Sequence, residues 1–199
     1  MNLTSFIHLL ASIQKIIKMF LYDKVIVIDI EATCWEKGQI PDNQKREIIE
    51  IGICKLNMSD GSIEEKRSYL IKPIHSEVSE YCTQLTGITP EKLEKEGISF
   101  KEACSNIKNR YNSLRRTYAG YGGFDKSIME SQCKEFEVKF PFNETYLDLK
   151  VLISLMTGEK PIGLLKELEA RNIEFEGNNH NGADDAFNTA KLLYHVLKR

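Results

Sequence analysis

The chain's 199 residues, 42% hydrophobic and 28% charged, suit one globular domain of ordinary size and exclude a disordered polymer. Its 27 Lys and Arg against 29 Asp and Glu leave a net charge of −2, which excludes an indiscriminate basic coat, so any polyanion must meet a local basic patch or bound cations. Five scattered cysteines without a Cys-x-x-Cys pair argue against a disulfide framework or zinc knuckle and for a reducing compartment, which makes the cytoplasm the expected location.

Leu3, Phe6, Ile7, Leu10, Ile13, Ile17 and Phe20 recur at spacings of three and four, which predicts an amphipathic helix over 1–20 that packs on the domain or on a partner helix. Gln14, Lys15 and Lys18 interrupt it too often for a membrane span, and no basic stretch precedes it as in a secretory signal. Met19 is an alternative start, which would make the first eighteen residues an extension. The rest, 21–199, reads as one domain without repeats, low-complexity segments or a dividing linker.

Val25 to Glu31 is a β-branched run suited to a central strand covered on both faces. Glu36 to Arg46 is a polar loop containing Pro41. Ile48 to Leu56 and Arg67 to Ile71 predict two further strands, joined through the turn Ser59-Asp60-Gly61 into an antiparallel meander. A helix is expected from Ser76, with Val78, Tyr81, Cys82 and Leu85 on one face and Gly87 at its end. Thr89-Pro90 opens a short helix, and Ser99 with Glu102 is a capping box for a helix to about Leu114. Thr117 to Tyr121 predicts a short strand and Phe124 to Phe136 a helix. Thr145 to Leu149 predicts the last strand, with a helix through Met156 after it. Ile162, Leu165 and Leu168 mark another helix, and the final one begins near Ala183 with Ala186, Ala190, Leu193 and Leu197 on one side. Strands first, then strands alternating with helices, predict an α/β fold: a mixed sheet flanked by helices.

Asp29 and Glu31 stand two apart in the first strand, so both project from one face. Either they cap a turn at the strand's end, or they form a cation site, since two buried carboxylates side by side repel each other. Asp125, after two glycines, is a helix N-cap or a partner of that pair. Asp185 shares a helical stripe with Thr189, Leu192 and Val196 and heads a face aimed at the sheet, whereas Asp184 points elsewhere. His180, five residues earlier, is a surface loop histidine or part of the same constellation; His8, His75 and His195 read as structural or solvated. Cys34 is a packing residue or a nucleophile.

In chain order, Asp29, Glu31, Asp125, His180 and Asp185 resemble the signature of the DEDD-type 3′→5′ exonucleases, in their histidine-containing branch. Asp29-Ile30-Glu31-Ala32-Thr33-Cys34-Trp35, Glu47-Ile48-Ile49-Glu50-Ile51-Gly52 and Leu85-Thr86-Gly87-Ile88-Thr89 are similar to the Eri and KapD-like subgroup. The resemblance spans about Lys24 to Leu197. It departs from much of the superfamily at the middle motif, which reads Tyr121-Gly122-Gly123-Phe124-Asp125, and this weakens any expectation of contacts from position 121.

The resemblance implies an RNase H-like fold with a mixed five-stranded sheet. It implies hydrolysis of single-stranded RNA or DNA from the 3′ end to nucleoside 5′-monophosphates, with RNA favoured. Two divalent cations about 3.5 to 4 Å apart suit that reaction, and four carboxylates suit Mg²⁺ or Mn²⁺. By the family's pattern Asp29 would bridge both ions, Glu31 and Asp185 would hold one, and Asp125 would act directly or through water. His180 would be the general base, since imidazole titrates near neutral pH. The Ala32-Thr33 backbone would lie near the terminal 3′-hydroxyl, and Leu85, Thr86, Gly87 and Ile88 beside the last sugar and base. Trp35 and Phe124 either stack on unpaired bases or pack in the protein. Lys108, Arg110, Arg115 and Arg116 form a basic cluster that tracks phosphates or is simply solvated. The alternatives are a DNA-processing exonuclease with the same site and an inactive nucleic-acid-binding or scaffold protein.

Overall fold

The computed structural model describes residues 23–198 together with Ser5. The helix expected over 1–20, His8 and the choice between Met1 and Met19 therefore lie outside the described residues. Five strands form one sheet: β1 (Lys24–Ala32), β2 (Ile48–Asn57), β3 (Ile63–Leu70), β4 (Tyr118–Gly120) and β5 (Tyr146–Asp148), ordered β3-β2-β1-β4-β5. The first three run as an antiparallel meander, while β4 pairs parallel with β1 and β5 parallel with β4. Among the described residues the helices are α1 (Glu80–Thr86), α2 (Pro90–Glu96), α3 (Phe100–Tyr111), α4 (Phe124–Glu135), α5 (Leu149–Thr157), α6 (Leu164–Glu169) and α7 (Gly182–Leu197). No helix among these residues is long and apolar enough to cross a membrane.

The two-residue period of β1 divides the interior. Ile26, Ile28 and Ile30 join a core with Phe100, Ala103 and Ile107 of α3 and Ile128 and Met129 of α4. Val25 and Val27 face the other way, against Leu149 and Ile153 of α5 and Ala186, Ala190 and Leu193 of α7. Each of the larger side chains among them contributes roughly 1.5–3 kcal/mol when fully buried, and the β-branched residues fit the pleated surface. Asp29 and Glu31 continue the odd-numbered series, so they leave the sheet on the α5 and α7 side.

Several boundaries differ from expectation for identifiable reasons. β3 begins at Ile63 instead of Arg67, because its first turn is a charged edge whose Glu64 and Glu65 pair with Lys24 and Lys55 at 2.6 and 2.9 Å; such an edge looks like loop in sequence. α1 begins at Glu80, where the Ser79 side chain accepts the Cys82 N–H at 3.0 Å. Ser76 does not start that helix, since its hydroxyl is engaged with the Lys45 backbone. α3 ends at Tyr111, where Asn112 turns left-handed at φ 49° before a separate tight turn over Ser113–Arg115. On α7, Asp185, Thr189, Leu192 and Val196 are all buried, but Leu197 in the last position is exposed.

α7 lies directly on the meander because two glycines meet. A Cβ on Gly52 would stand 1.8 Å from the carbonyl carbon of Gly182, and one on Gly182 would stand 3.1 Å from the Gly52 nitrogen and 3.2 Å from the Asp29 oxygen. Gly52 is the ladder partner of Asp29, so this contact sets the height of α7 above the acidic end of β1. Gly52→Ala is expected to lower stability by about 3 kcal/mol, the upper end for overpacking. Urea unfolding checks this, and an unchanged midpoint would contradict the close approach.

Candidate active site

The odd-numbered face of β1 passes from Val25 and Val27 into Asp29 and Glu31 just where β4, α4 and α7 converge. Asp125 lies in the first turn of α4, yet the N-cap of that helix is Gly123. Its Oδ1 instead accepts the Ile30 N–H at 3.2 Å, tying α4 to β1. Gly120 makes room for this: a Cβ there would stand 3.0 Å from Asp125 Oδ2 and 2.7 Å from Tyr146 Oη. Asp185 points inward from the first turn of α7 and is 5% exposed. Asp184 turns away, pairing with Lys66 and accepting the Asn178 N–H at 2.8 Å.

His180 precedes α7 with φ 62°, a left-handed conformation that costs a side-chain-bearing residue about 1–2 kcal/mol. Its Nδ1 lies 4.0 Å from Glu31 Oε1, and the ring is half-exposed. The five residues singled out in the sequence, together with Phe124, line one cleft of about 660 Å³. The wall facing them is made by Tyr121 and by residues 163–166 at the start of α6.

Asp29, Glu31 and Asp185 each offer a carboxylate oxygen, all within 4.8 Å of one another. The Asp185 Oδ1 is buried and has no hydrogen-bond partner. Converging hard oxygen donors with an unsatisfied acceptor among them fit a divalent cation of the Mg²⁺ or Mn²⁺ kind. Asp125 lies outside this tight trio, with one oxygen engaged by β1.

Burial is the largest influence on every acid of the cluster, and it opposes the charged form. Burial, then Asp125, Asp185, Glu31 and Glu50, hold Asp29 well above the usual carboxylate range. Glu31 is pushed up to about 8 by burial and by Asp185, Glu50 and Asp125. Asp125 is raised to about 7 by burial, against the pull of the Ile30 N–H. Asp185 is raised to about 7 by burial, while the His180 backbone N–H favours its charged form. A cation in the cluster would oppose all four shifts.

The other residues singled out in the sequence lie elsewhere. Trp35 is half-buried where the chain leaves β1 and does not line the cleft. The Thr33 N–H is engaged by the Glu47 carbonyl at 2.8 Å, and its hydroxyl bridges Lys45 and Glu47. The Ala32 carbonyl accepts from Cys82 Sγ at 3.6 Å. Ile88 is buried with Ile49, Cys82 and Leu93, and Thr86 bonds the backbone of Cys82 and Ile88; Leu85 is half-exposed and Gly87 exposed. Cys34 behaves as a packing residue: burial and its hydrogen bond with Cys82 push its thiol up to about 12, which disfavours a nucleophilic thiolate. In the basic cluster Arg116 pairs with Asp23, and Arg110 pairs with Glu65 at 2.6 Å.

Two features of the site were given no role from the sequence. The wall from Gly163 to Lys166 carries no chemical motif and is brought in only by the fold. Glu50 is fully buried beside the acids, and its signal was present, since it interrupts an isoleucine run as Asp29 does.

The family model described as "Exonuclease" (RNase_T) matches residues 26–193. A human protein named ERI1 exoribonuclease 2 is 31% identical over 202 residues, covering 89% of this chain and 29% of that protein, so the chain spans less than a third of its length. The Drosophila melanogaster 3′-5′ exonuclease Snipper is 29% identical over 199 residues, covering 89% of this chain and 70% of that protein. Among solved structures, the nuclease domain of 3′hExo, a DEDDh family member bound to rAMP, superposes with a TM-score of 0.80 at 24% identity, covering 89% of this chain and 92% of that one. That likeness establishes the shared RNase H-like fold, the mixed five-stranded sheet with its flanking helices.

The raised carboxylates give stability a definite pH dependence. Each keeps its proton in the folded protein at a pH where the unfolded chain has lost it, so the stabilisation is complete below the unfolded values and lost as pH rises through the folded ones. Without divalent cations the melting temperature is expected to fall between about pH 4.5 and about pH 8, the interval spanned by Glu31. Asp29→Asn should flatten the fall, and Mn²⁺ should reverse it at the upper end. Thermal melts followed by circular dichroism check this; a cation-free melting temperature that rises over the interval would contradict it.

Proposed function

The chain belongs to the exonuclease family whose model matches residues 26–193, and from that premise we propose that it is a 3′→5′ exonuclease of the histidine-containing DEDD type and the Eri-like subgroup. Its substrate is the 3′ end of single-stranded RNA, from which it releases nucleoside 5′-monophosphates. The observation that carries this reading is the convergence of Asp29, Glu31 and Asp185 oxygens within 4.8 Å, with Asp125 and His180 on the same cleft. The word exoribonuclease in the human relative's name supports RNA over DNA.

Membership of this family implies dependence on a divalent cation, and we take the working form to hold two, Mg²⁺ or Mn²⁺. Bound cations supply charge neutralisation at the phosphoryl oxygens and at the leaving 3′-oxygen. Asp29, Glu31 and Asp185 would hold them, and Asp125 would contribute directly or through water. His180 takes the proton of the attacking water on an imidazole nitrogen and, being half-exposed, passes it to solvent. Phe124, 46% exposed at the rim of the cleft, offers its face to an unpaired base. Tyr121 steadies the opposite wall by donating from its hydroxyl to the Ile162 carbonyl at 2.9 Å.

Matched 3′-tailed single-stranded RNA and DNA incubated with Mg²⁺ or Mn²⁺ test this reading. Stepwise shortening from the 3′ end, faster on RNA, is expected, and Asp29→Ala should abolish it. DNA cut faster than RNA would favour a DNA-processing enzyme. No shortening of either polymer with either metal would favour a binding or scaffold protein. His180→Ala should reduce kcat by about 10²–10⁴-fold, the usual range for a lost general base; undiminished activity would remove His180 from that role. Phe124→Ala should raise KM by roughly 5- to 150-fold with kcat little changed, the loss of one stacked base at about 1–3 kcal/mol.

A further inference from the structure

Glu50 is a fifth carboxylate in the interior beside the site, and neither the trio of converging oxygens nor the proposed mechanism uses it. It is 0% exposed and stands directly opposite Glu31 in the β1–β2 ladder. Cross-strand partners share a face, so its side chain leaves the sheet with Asp29 and Glu31, on the side that α7 covers. One oxygen, Oε2, accepts the Gly182 N–H at 3.0 Å, two residues after His180 and three before Asp185. The other, Oε1, is buried without any hydrogen-bond partner.

A structural clamp needs only the first oxygen. An unpaired buried carboxylate oxygen is costly, and here it is kept among acids that already repel one another. Glu50 is placed there by two contacts at once, since it is the ladder partner of Glu31 and binds the N–H at the start of the helix that carries Asp185. The arrangement suits an outer carboxylate of a cation site: one oxygen orients the segment that carries a ligand, and the other would be free to accept from the cation's surroundings.

We propose that Glu50 is a positioning residue of the divalent-cation site, holding the first turn of α7 through Oε2 and strengthening cation binding through Oε1; this rests on the cation reading of the cleft given above. Glu50→Gln retains an acceptor for the Gly182 N–H but replaces the free acid oxygen with an amide. Glu50→Asp retains the acid but withdraws it from Gly182.

The test is calorimetric titration of Mn²⁺ into the full chain without nucleic acid, with cation-free melting curves for each variant. Glu50→Gln should weaken Mn²⁺ binding by about 10- to 100-fold, as loss of an outer-shell partner does, while melting at or above the native temperature. Glu50→Asp should bind Mn²⁺ more tightly than Glu50→Gln. Native affinity in Glu50→Gln, or weaker binding by Glu50→Asp than by Glu50→Gln, would overturn the proposal and leave Glu50 a clamp. Asp29→Asn run in parallel separates the two readings: it should lose Mn²⁺ binding, and if it binds like the native chain the cation site itself fails. Loss in Asp29→Asn with none in Glu50→Gln removes Glu50 alone.

Discussion

Carboxyl groups crowded together out of water govern this structure. Asp29, Glu31, Asp125 and Asp185 are brought to one cleft from three elements and a buried Glu50 stands behind them, against the ordinary rule that buried acids are paired with bases. Among the described residues, no lysine or arginine forms an ion pair with any of the four. The fold tolerates this because the apolar layers on both faces of β1 are extensive. The cluster is an arrangement the rest of the molecule must hold in place.

It is held largely by backbone. Asp125 is fixed by the Ile30 N–H, α7 by the Gly182 N–H on Glu50, and the meeting of Gly52 with Gly182 leaves no side chain to act as a cushion. The Asn181 side chain caps α7 by accepting the Asp184 N–H at 3.1 Å. That cap leaves Asp185 free to face inward. Backbone contacts have few rotamers to lose, so they position the acids with little slack.

Much of this was legible in the sequence because its signals were local. The acid pair in a β-branched strand, the Pro90 and Ser99 helix starts and the inward stripe headed by Asp185 each follow from period and propensity, and the order of motifs carried the family. The polar start of β3 was missed because an edge strand made of Glu64, Glu65 and Lys66 is stabilised by partners on neighbouring strands and on α7. The Asp125 side chain was ambiguous for a related reason: cap and cross-link use the same residue at the same position, and only the tertiary distance to Ile30 separates them. Gly163 to Lys166 became a wall of the cleft through long-range packing, which leaves no local mark.

The cleft draws its acids from positions 29, 31, 125 and 185, and the last of these sits on α7, the final helix described. During synthesis the first two carboxylates emerge long before the last can join them. A partly made chain therefore carries a strand with two acids and no chelating set. The three converging oxygens come together only when α7 docks on its glycine seat, so the proposed cation site is a product of the closed fold and belongs to no single segment of it.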